Sequence, residues 1–135
     1  MRKNDLMRYG DKIIRILVVR EDVVLIIDCL HKSMPKWMEL SELENYAVCT
    51  EEEMLAAADR SAYDYDSLDK QSRRFVHEHF TLIAGVLPFI EDDRKRCAMI
   101  ASVASERGIS KQTIRNYLWL YLVHQDIAAL APKLK

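Results

Sequence analysis

The chain has 135 residues, of which half are hydrophobic and 30% are charged, with only three Gly and three Pro. This composition excludes collagen-like, low-complexity and intrinsically disordered chains, and the length suits one compact domain or two very small ones. Three cysteines without a CxxC pair argue against a zinc site or a disulfide framework and favour a cytoplasmic location. No apolar run approaches the ~20 residues of a membrane helix, so we expect no membrane partner.

Charge is unevenly distributed along the chain, although the net charge is only −1. Residues 1–66 carry 9 Lys and Arg against 14 Asp and Glu, whereas residues 67–135 carry 11 against 7. An acidic front half and a basic back half are typical of a chain that binds a polyanion through one half only. Surface charge that simply fluctuates along the chain would give the same counts, so charge alone leaves both readings open.

The N-terminal region, residues 1–59, predicts a small β element followed by a short helix. Residues 12–19 and 23–28 are rich in Ile and Val, and a short polar link separates them, which favours a hairpin. A third short strand is expected over 37–40. The sequence TEEE at 50–53 is a capping box, which predicts that a short helix begins there.

The C-terminal region, residues 69–135, predicts a domain of three helices after a polar linker over 60–68. Apolar residues at helical spacing predict the first helix from about 69 to 87. The second is expected to run from the acidic residues near 91 to 107, and the third from about 111 to 130. The predicted fold class is therefore mainly α with a small N-terminal β element (α+β).

Residues 100–118, IASVASERGISKQTIRNYL, fit a helix-turn-helix. Ala104 is small where two helices cross, and Gly108 can adopt the left-handed conformation that the turn needs. Ser110 is placed to cap the second helix, and Ile114 and Leu118, four residues apart, are expected to face the core. Together these positions predict that the back half is a helix-turn-helix domain.

The same pattern leaves exposed a polar set whose chemistry suits duplex DNA. Amide and guanidinium side chains can bridge two groups on one base edge, which predicts base contacts from Gln112, Arg115 and Asn116. Hydroxyl and cationic side chains near helix N-termini suit phosphate oxygens. The predicted phosphate contacts are Lys111, Thr113, Arg94, Lys95 and Arg96. No residue set predicts a catalytic centre, a metal site or a cofactor; in particular, His77 and His79 are two apart on a helix and point away from each other.

Three stretches cover most of the chain: LVVREDVVLIIDCLHKSMPKWMELSELENY, SRRFVHEHFTLIAGVLPFI and ISKQTIRNYLWLYLVHQDIAALAPK. Together they resemble the N-terminal region of bacterial Mu-type (TnsB-like) DDE transposases. The resemblance implies a DNA-binding region with helix-turn-helix units that precedes an RNase-H-like catalytic core, which uses a divalent metal to cut and join transposon ends. It assigns residues 94–118 to end recognition. No carboxylate here can be matched to the acidic catalytic set, so we expect this chain not to be an enzyme.

These observations predict sequence-specific binding of duplex DNA at transposon ends, as the non-catalytic N-terminal recognition part of a DDE transposase or integrase. The expected partners are double-stranded DNA, the transposase catalytic core and other transposition proteins. The alternative is a protein-interaction module or a transcriptional regulator that uses the same helix-turn-helix. DNA binding should depend steeply on salt concentration, whereas a docking module should not show this dependence.

Overall fold

Two compact units make up the chain, one built on a β-sheet and the other on helices. The computed structural model describes residues 1–132; the first unit is Met1–Ala62 and the second begins at Tyr63. The observed class is mixed α and β, in agreement with the predicted α+β class. The last three residues of the predicted C-terminal domain lie outside the described residues.

The first unit contains an antiparallel sheet of five strands in the order β4-β3-β2-β1-β5. The strands are β1 (Leu6–Tyr9), β2 (Lys12–Val19), β3 (Val23–Asp28), β4 (Lys36–Glu39) and β5 (Ala47–Cys49). Successive strand residues point to opposite faces of a sheet. Because every residue from Ile13 to Leu17 is buried, β2 is covered on both faces. The many β-branched residues of β2 and β3 suit this central position.

The sheet is larger than the predicted hairpin with a third strand. The hairpin is β2–β3 and the third strand is β4, but β1 and β5 extend the sheet at its other edge. β1 reaches β2 through Gly10 and Asp11, and Gly10 has the positive φ of 58° that a tight two-residue turn requires. β5 has only three residues, too few to show a period of two, so its pairing with β1 has no local sequence signal.

A buried arginine on β2 ties the sheet to the first helix. The Arg15 side chain is 2% exposed, and its guanidinium donates to the backbone carbonyl of Asn4 at 2.7 Å. It also donates to both carboxylate oxygens of Glu51 at 2.8 and 2.9 Å. The Glu51 side chain itself is more than half exposed. The sheet therefore contains a buried cation that is paired with a carboxylate at the protein surface.

Each of the four α-helices described within residues 1–132 begins after a side-chain cap. The helices are α1 (Glu51–Ala57), α2 (Lys70–Ala84), α3 (Asp93–Arg107) and α4 (Lys111–His124). Thr50, Asp69, Asp92 and Ser110 each accept a hydrogen bond from the backbone N–H three residues later. The predicted caps Thr50 and Ser110 are thus confirmed, and the N–H of Lys95 lowers the pKa of the Asp92 carboxyl.

Two helices end earlier than the sequence predicts. α4 ends at His124 because Gln125 adopts a left-handed φ of 53°, and residues 127–130 form a separate 3₁₀ turn rather than the end of the helix. α2 ends at Ala84 rather than at 87. A proline ring clashes with the carbonyl four residues before it in a helix, and Ala84 is four residues before Pro88. The sequence indicated that Pro88 stops α2 but placed the end at 87, next to the proline, whereas the left-handed Gln125 was not predicted.

α4 is the central helix of the second unit. It contacts α2, α3 and the 3₁₀ turn at 127–130. Ile114 and Leu118 are fully buried, as their spacing predicts. The other buried apolar residues of this unit are Val76, Ile83, Val86, Ile100, Ala104, Trp119, Leu122, Val123, Ala128, Ala129 and Leu130.

Candidate nucleic-acid interface

α3 and α4 are joined by three residues, and backbone hydrogen bonds hold this joint. Gly108 adopts the left-handed conformation with φ 66°, and its N–H donates to the carbonyl of Ala104. The N–H of Ile109 donates to the same carbonyl at 3.1 Å. Ser110 then caps α4. The path of the chain from α3 into α4 is therefore set by a glycine-dependent turn.

We expect Gly108→Ala to lower the free energy of unfolding by about 1–2 kcal/mol, because an L side chain is strained at this positive φ. An added Cβ would meet no heavy atom within 4 Å, so the expected loss of stability comes from the strained backbone conformation alone. Gly85→Ala is the matched control: φ is −75° there and the space is equally open, so the change should be neutral or stabilising by up to about 1 kcal/mol. Urea unfolding of both variants measures the difference. Equal stabilities would contradict this account of the joint.

The orientation of α4 is held by a histidine on α2. His79 Nδ1 lies 2.7 Å from the carbonyl oxygen of Leu130, and Nε2 lies 3.2 Å from the hydroxyl of Tyr117. A carbonyl only accepts, so Nδ1 donates to Leu130, and a neutral ring can then accept the Tyr117 hydroxyl at Nε2. The two rings stack at a centroid distance of 4.2 Å, and burial raises the pKa of Tyr117. The helical spacing of His77 and His79 gave no signal that His79 would contact Leu130 and Tyr117.

The first two turns of α4 carry the five predicted contact residues of that helix. Lys111 and Gln112 are exposed, and Thr113, Arg115 and Asn116 are half-buried. Gln112 Nε2 donates to Asn116 Oδ1 at 3.0 Å, which pairs the two amide side chains across one helical turn. The Thr113 hydroxyl lies 2.8 Å from the capping Ser110 Oγ, so it is partly engaged at the helix start. The structure thus brings these residues together on the first two turns.

The polar face ends after those two turns. Trp119 follows Arg115 and Asn116 by one turn but is only 4% exposed. Leu122 and Val123 are also buried. In this helix of 14 residues, about 20 Å long, the exposed side chains of Lys111 and Gln112 lie in the N-terminal half.

The start of α3 holds two of the three predicted basic residues at the surface. Arg94 and Lys95 are exposed. Arg96 is 4% exposed, and its guanidinium donates to the carbonyl of Ile90 at 2.8 Å and to the Asp93 carboxylate. Its charge is therefore used inside the unit to hold the start of α3. The expectation that Arg96 contacts phosphate is corrected on this ground.

Metal sites and membrane-spanning helices were also considered from the sequence, and the described residues show neither. Within residues 1–132, no group of three or more His, Cys, Asp or Glu side chains is arranged to hold a metal ion. His77 Nε2 lies 2.8 Å from the hydroxyl of Tyr65, whereas His79 faces Leu130 and Tyr117, so the two histidines do not converge. None of the described helices combines the length and apolar character needed to cross a membrane.

Comparison with known proteins adds no family assignment. No protein-family model matches the chain, and a search of curated proteins finds no significant match.

Proposed function

We propose that the chain binds duplex DNA sequence-specifically at transposon ends, as the non-catalytic N-terminal recognition part of a DDE transposase or integrase. In this proposal α3 and α4 act as a helix-turn-helix, with α4 as the recognition helix in the major groove. The observation that carries it is the polar outer face of the first two turns of α4, presented at a fixed turn. Recognition helices of this class contact base edges with their N-terminal residues.

The base-reading part of the proposal uses the amide pair and the neighbouring arginine. Gln112 and Asn116 can each donate to N7 and accept from N6 of adenine, and Arg115 can donate to O6 and N7 of guanine. The hydrogen bond between Gln112 and Asn116 orients both amides before DNA arrives, which lowers the entropy cost of binding. A duplex site that contains adenine beside guanine therefore suits this face.

The phosphate-binding part uses groups on both sides of that face. Lys111 and Thr113 stand at the N-terminus of α4, where the helix dipole favours an anion. Arg94 and Lys95 stand at the exposed start of α3. Four such groups can fix the register of the protein on the duplex without reading its sequence.

The resemblance to Mu-type transposases supplies the wider context of the proposal. It suggests a parent protein in which a separate catalytic core cuts and joins DNA once the ends are recognised. The acidic N-terminal unit would then serve contacts with that core or with other transposition proteins. Residues 1–62 carry 12 Asp and Glu against 9 Lys and Arg, and this net negative charge disfavours their approach to DNA.

We expect Lys95→Ala to weaken binding to all duplexes alike and to reduce the slope of log K against log salt by about 0.9, the value of one phosphate contact. Fluorescence anisotropy of the full chain with a labelled duplex over a salt series measures both quantities. Lys36→Ala removes the same charge from the exposed edge strand β4 and should leave the slope unchanged. A slope near zero for the unmodified chain would refute the proposal and favour the protein-interaction module.

A further inference from the structure

An open groove of about 610 Å³ lies between α2 and the joint of α3 and α4. Leu82 on α2 and Ile109 in the joint provide apolar surface, and both are half-buried. Arg74 on α2 and Arg107 at the last position of α3 are exposed and line it as well. The other lining residues are His77, Glu78, His79 and Thr81.

Arg74 and Arg107 differ in their surroundings from Arg73, which precedes Arg74 on α2. Arg73 donates to the carbonyls of Tyr65 and Asp66 and lies over the Tyr65 ring, so its guanidinium is used to hold the preceding loop. No carboxylate among residues 1–132 lies within ion-pair distance of Arg74 or Arg107. Two cations beside apolar surface form a combination that a carboxylate-bearing, partly apolar ligand complements.

This groove is distinct from the face proposed to bind DNA. Its lining comes from α2, the end of α3 and the joint, whereas the proposed base contacts lie on the outer face of α4. A sugar–phosphate backbone has no apolar side chain to insert between Leu82 and Ile109. A peptide can place an apolar side chain there and carboxylates beside the arginines, while Glu78 can accept from a peptide N–H.

We propose that this groove docks an acidic segment of a partner protein, with an apolar side chain on Leu82 and Ile109 and carboxylates beside Arg74 and Arg107. The proposal goes beyond DNA recognition and does not depend on it. It gives the second unit two separate surfaces, one on α4 for a duplex and one on α2 for a protein.

The test uses the full chain and a fluorescein-labelled synthetic peptide in which two leucines are flanked by glutamates. We expect binding at moderate salt, with shifts of the backbone amide signals of Thr81, Leu82 and Ile109 in ¹⁵N NMR spectra. Arg107→Glu should weaken binding by about tenfold or more, since like charges then face each other. Lys36→Glu makes the same charge change on the exposed strand β4 of the first unit, outside the lining of the groove, and should have little effect.

Three results would overturn the proposal. One is the absence of these amide shifts at millimolar peptide. Another is equal binding by a peptide in which every glutamate is replaced by glutamine, since the arginines would then have no role. The third is displacement of the peptide by a short DNA duplex that shifts the same three amide signals, because the groove would then belong to the DNA-binding surface. Loss of DNA binding alone would leave the peptide result unchanged, so the two proposals fail separately.

Discussion

Arg115→Ala should lower affinity for the preferred duplex by about 10- to 100-fold, because a bidentate arginine–guanine contact contributes about 1–3 kcal/mol of discrimination. Affinity for an unrelated duplex should change far less, since non-specific binding depends on phosphate contacts. Arg115 is half-buried at the start of the second turn of α4, where its guanidinium can reach outward beside the amide pair. Competition anisotropy with preferred and unrelated duplexes measures the ratio.

Arg94→Ala is the matched control for this prediction. It removes the same side chain from the exposed start of α3, where we assign a phosphate contact. Both duplexes should then be bound more weakly by similar factors, so the ratio should stay constant. If a folded Arg115→Ala chain keeps the full ratio, the assignment of α4 as the base-reading helix is wrong.

Glu51→Ala should lower the free energy of unfolding by about 3 kcal/mol, whereas Arg15→Met should cost less. Breaking a buried ion pair by removing one partner costs about 3–5 kcal/mol. We take the lower end because water can reach the position of the exposed Glu51 carboxylate and because the Asn4 carbonyl still accepts from Arg15. In Arg15→Met the buried charge is itself removed and the space is filled by an apolar side chain. Glu51 then remains in contact with water.

Urea unfolding followed by far-UV circular dichroism measures these changes. Glu52→Ala is the control, because it removes an exposed carboxylate from the same turn of α1 and should cost at most about 0.5 kcal/mol. The decisive comparison is whether Glu51→Ala or Arg15→Met loses more free energy of unfolding. A larger loss for Arg15→Met than for Glu51→Ala would mean that the packing of the arginine stem, rather than its charge, stabilises the sheet.

The parts of the fold that the sequence predicted correctly have local causes. The capping threonine and serine, and the glycine at the end of α3, act through hydrogen bonds and dihedral angles within a few residues. The runs of Ile and Val in β2 and β3 likewise mark central strands by their composition. Such features are visible in one sequence because no distant residue is needed to produce them.

The parts that the sequence did not predict depend on distant partners. β5 exists because β1 offers it an open edge, and three residues carry no period of their own. The Gly10-Asp11 turn was the one local signal that could have revealed β1.

Arg96 shows the same limit within the proposed interface. Three basic residues in a row at a helix start predict three phosphate contacts, but adjacent helix positions point about 100° apart. The third position turns inward, where the Ile90 carbonyl and the Asp93 carboxylate accept its hydrogen bonds. Arg74 and Arg107 were not predicted to act together, because they are 33 residues apart in the sequence. They line the same groove only in the folded unit.

Selection of the full chain against a pool of random duplexes at moderate salt tests the proposed function most directly. The account predicts an enriched consensus that the chain binds at least about tenfold more tightly than an unrelated duplex, with affinity that falls steeply as salt rises. Arg115→Ala should broaden that consensus at one position. No enrichment, together with no salt-sensitive binding even at low ionic strength, would contradict the account and leave protein docking as the function of this surface.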